Sequence, residues 1–176
     1  MSAEVVHLRP EAELRAVVEQ LYTRAASQIH ALIPTAEVLH VGATALPGGL
    51  TKGDLDLQVR VEREIFEPAA RAMETLFVPR AGPELELVRT FWAPTWEVPL
   101  DLILTARDVP GDVPWRVRDV LLKRDDLRAA FHRLQRRFEG RTAAEYRAAK
   151  DRFFREVLAS RDFGRTWQAP TLGWHQ

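Results

Sequence analysis

Apolar residues at helical spacing open the chain. Leu14, Val17, Val18, Leu21, Ala25 and Leu32 recur every three or four residues and predict one helix between Pro10 and Pro34. Pro10 suits a first helical position, and Glu11 and Glu13 put negative charge at the positive end of the helix dipole. The period then falls to two. VLHVG (38–42) reads as a short strand that stops at Gly42, and TALPGGLTKG (44–53) reads as a turn. In DLDLQVRV (54–61), Leu55, Leu57, Val59 and Val61 alternate with Asp54, Asp56, Gln58 and Arg60, which predicts a strand with one apolar and one polar face. Helical spacing returns over EIFEPAARAMETLF (64–77), where Pro68 fits only in the first turn.

Two β-rich runs follow, ELELVRTFW (84–92) and WEVPLDLILTA (96–106). The short loop Ala93-Pro94-Thr95 between them predicts an antiparallel hairpin, with a bulge or an edge at Pro99. From Pro114 the spacing predicts helices over 114–123, 125–138 and 142–160. Gly140 ends the second of these, and Thr142 caps the third with Glu145 three residues on. The order of elements predicts an α+β fold: a small mixed β-sheet with flanking helices and a helical C-terminal part. We read residues 1–176 as a single domain, with a core over 10–111, C-terminal helices over 112–160 and an irregular tail over 161–176.

Composition narrows the function. With 46% hydrophobic residues the chain can bury a core, and its 25 basic and 25 acidic residues cancel, so net charge points to neither nucleic acid nor an anionic membrane. The absence of Cys excludes disulfides, thiol nucleophiles and Cys-based metal sites. That, with no signal peptide and no apolar run of the ~20 residues a bilayer requires, leads us to expect a cytoplasmic protein.

The chemistry concentrates in GATALPGGLTKGDLDLQVRV (42–61). Asp54 and Asp56, two apart on a strand, share a face with Cα atoms about 6.5–7 Å apart, a separation that lets both carboxylates grip one Mg²⁺ or Mn²⁺. Asp101 interrupts an apolar strand predicted nearby and is the third candidate ligand. Three carboxylates on one cleft are what a two-metal phosphoryl-transfer site needs. Gly42 permits close backbone approach, and the N–H groups of Ala43 and Thr44, the Thr44 hydroxyl and the Lys52 ammonium are candidates for holding a triphosphate. Arg60, on the Asp face, and Arg107, just past the Asp101 strand, are further candidates to meet it. His7, His30, His40, His132 and His175 show no ligand spacing, and His40 is read as holding the Gly turn by a hydrogen bond. The bases between Lys123 and Arg152 alternate with acids and read as a solvated helix surface, and the Trp residues as packing.

This layout of strand, Gly turn, Asp-x-Asp strand and later strand Asp resembles the DNA polymerase beta-like nucleotidyltransferase superfamily. Within it, HVGATALPGGLTKGDLDLQVRV (40–61) is similar to the GrpB family, matching its pattern at His40, Gly42, Thr44, Ala45, Pro47, Gly48, Lys52 and Asp56. Residues 117–158 resemble the family's closing helices. Two departures stand out: Ala43 replaces the family's usual Ser, and Asp54 stands where many members are apolar. The resemblance implies a minimal nucleotidyltransferase-like fold and Mg²⁺-dependent transfer of a nucleoside monophosphate from an NTP such as ATP to a hydroxyl acceptor, most simply a small molecule. Asp54, Asp56 and Asp101 would be the catalytic metal ligands, and Gly42, Ala43, Thr44, Lys52, Arg60 and Arg107 would hold the nucleotide. The alternatives are a nucleotide- or metal-binding module without turnover and an accessory domain whose carboxylates pair with Arg60 or Arg107.

Overall fold

In the computed structural model, which describes residues 4–82, 85–93 and 96–159, the elements run in the order β1 (Arg9–Pro10), α1 (Arg15–Leu32), β2 (Glu37–Val41), β3 (Leu50–Thr51), β4 (Leu55–Val61), α2 (Phe66–Met73), β5 (Val78–Arg80), β6 (Val88–Ala93), β7 (Leu100–Ala106), α3 (Pro114–Lys123), α4 (Asp125–Phe138) and α5 (Ala143–Ala159). The fold is α+β. Five strands form one mixed sheet in the order β2-β4-β7-β6-β5, parallel only between β4 and β7, and β1 pairs with β3 as a separate two-stranded ribbon.

One face of the sheet packs on α1 and α2. Leu55, Leu57, Val59 and Val61 of β4 and Leu100, Leu102 and Leu104 of β7 close that core with Val18, Leu21, Ala25 and Ile29 of α1 and Phe66, Ala69, Ala70 and Met73 of α2. The other face meets the C-terminal helices. Leu46, Leu121 and Phe131, with Phe153 and Phe154 packed on them, make a second cluster between the Gly turn and α3–α5. The polar face of β4 is therefore also covered: Gln58 and Arg60 are buried, and both donate to Asp112, which is 1% exposed, while Arg60 Nη1 donates to Glu37 and Gln58 Oε1 accepts the Trp115 N–H. Burying a guanidinium is tolerable only with such a partner.

Several boundaries follow the sequence expectations closely. Pro68 lies in the first turn of α2, and β6 and β7 form the expected antiparallel hairpin. Thr142 and Glu145 make a reciprocal capping box: Glu145 N–H donates to Thr142 Oγ1, and Thr142 N–H donates to Glu145 Oε2. Gly140, at φ 75°, ends α4.

Others shift. The first helix begins at Arg15, after a short 3₁₀ turn at Glu11–Glu13. Strand β6 begins at Val88 because Leu87 takes φ 57°, a left-handed conformation that breaks the ladder inside the expected run 84–92. Pro99 precedes β7 instead of bulging within it, and its carbonyl accepts the Leu55 N–H at 2.9 Å. Strands β1, β3 and β5 were not expected. The expected tail at 161–176 and the loop positions Pro94 and Thr95 lie outside the described residues.

A candidate active site at the carboxylate row

Two registers bring the carboxylates together. Val41 of β2 pairs with Asp56 of β4, and Asp56 pairs with Asp101 of β7. Asp54 lies just before β4 on the same side as Asp56. All three line one cavity of about 260 Å³ between the sheet and the C-terminal helices. Gly42 and Lys52 line it from the turn, and Arg80, Arg118, Arg147 and Lys150 bring four more positive charges to its wall. Apolar side chains complete the lining, among them Ile103, Val117, Leu121, Phe131 and Phe154.

Gly42 works differently from the expectation. It sits at φ 74°, and a Cβ built there would lie 1.9 Å from Asp56 Oδ2. The glycine thus makes room for the Asp56 carboxylate itself. Beyond it the chain turns through Ala43–Ala45. The first bond inside that turn is Ala45 N–H to Gly42 O at 3.4 Å, so the N–H groups of Ala43 and Thr44 precede the turn's own hydrogen bonding.

The Thr44 hydroxyl, expected to face phosphate, is buried and engaged. It donates to the Asp54 carbonyl at 3.2 Å and lies 2.9 Å from His40 Nε2. A hydroxyl has one proton, so His40 Nε2 is the donor in that pair. Burial, followed by the Arg118 charge, pushes His40 down to about 4, which keeps the ring neutral. His40 therefore holds the turn by a hydrogen bond, as expected, and Thr44 carries that restraint on to the backbone of Asp54.

Burial first, and then the Asp54 carboxylate, raise the Asp56 carboxyl to about 8, with Lys150 and Lys52 opposing the shift. Burial also raises Asp101, against the lowering effect of Arg80. Arg80 donates from Nη1 to Asp101 Oδ1, and its guanidinium lies 4.8 Å from the Trp92 ring centroid. Among the described residues, no three Asp, Glu or His side chains converge closely enough to hold a metal ion. Asp54 and Asp56, adjacent and mutually repelling, have the donor chemistry for one divalent cation. Asp101 is committed to Arg80.

Arg60 and Arg107 stand elsewhere. Arg60 binds Asp112 and Glu37, and Arg107 binds Glu37 and Glu62, at the other end of β4 and β7. Four residues along a strand is about 13 Å, which places Arg60 out of reach of Asp56's partners. Neither arginine lines the cavity or pairs with the three carboxylates, which corrects both the nucleotide-contact and the accessory-domain expectations for them. Of the basic residues that do line it, Lys52 is the one expected from the sequence; Arg147 and Lys150 belong to the helix surface expected to be solvated, and Arg80 and Arg118 are not among the expected residues. Arg147 and Lys150 sit three apart on α5 and share a face with Phe154, a periodicity visible in the sequence, whereas Arg80 lies on the unexpected strand β5.

A family model for GrpB protein matches residues 12–160. The chain belongs to the GrpB family. A relative in Vibrio cholerae serotype O1, UPF0157 protein VC_A0354, is 29% identical over 149 residues, covering 83% of this chain and 78% of that protein. The crystal structure of GrpB from Enterococcus faecalis superposes with a TM-score of 0.57 at 15% identity, over 80% of this chain and 87% of that one, so the two GrpB chains share a fold. A structure of the Cid1 poly(U) polymerase aligns over 65% of this chain and 41% of that chain, at a TM-score of 0.42 and 10% identity. Among the described residues, no helix of this GrpB member is long and apolar enough to cross a membrane.

Proposed function

We propose that this chain is a nucleotidyltransferase that transfers a nucleoside monophosphate from an NTP to a hydroxyl acceptor. The observation that carries the reading is the row Asp54, Asp56 and Asp101 on one cavity whose wall also holds Lys52, Arg118, Arg147 and Lys150. Carboxylates facing cations across a cavity suit a polyanion brought in with a divalent metal. Asp54 and Asp56 would hold Mg²⁺ or Mn²⁺, which when bound neutralises charge on the phosphoryl oxygens. Lys52, Arg147 and Lys150 hold the triphosphate, helped by the N–H groups of Ala43 and Thr44. A bond forms between the acceptor oxygen and the α-phosphorus as the bond to the β-phosphate oxygen breaks, and pyrophosphate leaves. Asp101, held in place by Arg80, takes the acceptor's proton. A cavity volume of about 260 Å³ suits a small acceptor better than a nucleic-acid strand.

The test is Asp54→Asn combined with Asp56→Asn. Mg²⁺-dependent NTP binding measured by calorimetry is lost while the thermal melt stays cooperative; normal binding and turnover in that variant would sink the assignment. A second reading, a nucleotide-binding module without turnover, is favoured by one observation: Ala43 has no hydroxyl, and that of Thr44 is spent on His40 and Asp54. Binding of labelled NTP without pyrophosphate release, across a panel of hydroxyl acceptors, selects it.

A further inference from the structure

We propose that Arg80 stands where a three-carboxylate site would place its second divalent cation, so that this site takes one metal ion and one fixed guanidinium. The inference rests on the reading of Asp54 and Asp56 as a cation grip. Its own evidence is the neighbourhood of Asp101. On one side Asp101 is in register with Asp56, and on the other with Trp92 of β6. Arg80 reaches over from β5, donates to Asp101 Oδ1 and stacks on the indole of Trp92 at 4.8 Å. Thr90 Oγ1 donates to the Arg80 carbonyl at 2.9 Å and fixes the base of the side chain.

The guanidinium is thus held by a carboxylate, an aromatic face and an anchored backbone, inside the wall of the same cavity. It cannot lose its proton, so its charge is permanent. A metal ion at Asp101 would have to displace it or lie against a like charge. The Asp56 carboxylate has no such partner among the described residues, and Lys150 and Lys52 act on it only through the field.

The experiment counts Mn²⁺ on the full chain by titration, following free Mn²⁺ by electron paramagnetic resonance. The wild type takes one ion. Arg80→Gln, which removes the charge and keeps a polar side chain, takes a second, weaker ion, and adding Asp101→Asn abolishes it. Arg80→Lys retains the charge and the wild-type count. Asp101→Asn alone keeps the first ion, and this variant decides the matter if Arg80→Gln does not fold. The proposal is overturned if the wild type binds two ions, if folded Arg80→Gln stays at one, or if Asp101→Asn alone loses the ion. The first two outcomes leave the Asp54–Asp56 grip standing, whereas loss of the ion with Asp101→Asn alone, or no Mn²⁺ on any variant, removes both.

Discussion

Replacing Gly42 by Ala tests the geometry of the site at its tightest point. The new Cβ would lie 1.9 Å from Asp56 Oδ2, 2.6 Å from its Cγ and 2.8 Å from its Cβ, so the carboxylate must leave its position. The backbone also resists: at φ 74° and ψ −165°, Gly42 occupies a region almost closed to other residues, worth about 1–3 kcal/mol of strain. Forcing Asp56 off its rotamer adds about 1 kcal/mol. The sum, ~2–4 kcal/mol, is to be read as a shift in the urea midpoint at an unchanged m-value, alongside Mn²⁺ titration, which shows the cation affinity lost. A double-mutant cycle separates the two parts. With Asp56→Ala already present the clashes with Oδ2 and Cγ vanish and only the 2.8 Å approach to Cβ is left, so the cost of Gly42→Ala falls by ~1 kcal/mol while the backbone part remains. Stability within about 0.5 kcal/mol of wild type, together with unaltered Mn²⁺ binding, would refute the account of why glycine stands here.

The pH dependence of the metal-free protein follows from Asp56. Its carboxyl is raised from 3.8 to about 8, so the folded state holds a proton that the unfolded chain releases; this stabilisation is complete below about 4 and is lost as pH rises to about 8. Within that window stability falls by up to about 1.4 kcal/mol per pH unit, and Asp56→Asn flattens the slope in denaturant melts run with a chelator. Asp112→Ala strips the buried Arg60 of its bidentate partner and costs ~3–5 kcal/mol, seen as a much lower melting temperature. Lys150→Ala leaves the fold intact and weakens NTP binding about 10- to 100-fold in a fluorescence or calorimetric titration, the worth of one charge-assisted contact.

The sequence was legible where a local pattern decided the outcome. Strict alternation located β4, and the Thr142–Glu145 pair and Gly140 set the limits of α4 and α5, because caps and periodicity depend on near neighbours. Alternation also put Arg60 on the same face as Asp56. It says nothing about distance along the strand, and Arg60 went instead to Asp112, a partner 52 residues away. Strand β5 is three residues containing a proline, too short to show a period, so Arg80 was invisible with it. The Thr44 hydroxyl was judged from its place beside a Gly turn. Only the fold shows that His40 and the Asp54 carbonyl claim it first.

The pairing of Asp56 with Asp101 joins positions 45 residues apart across the parallel contact in the sheet, and α2, β5 and β6 must be laid down between them. Contacts of such sequence separation close late, after their loop entropy has been overcome. Arg147 and Lys150 come later still in the chain and complete the cavity from α5. No fragment ending before α5 can therefore assemble the whole site, and a nascent chain gains it only once that helix has emerged and docked. On the function proposed above, nucleotide binding is in this sense a late event of folding, and its onset during refolding would mark the arrival of the last helix on the sheet.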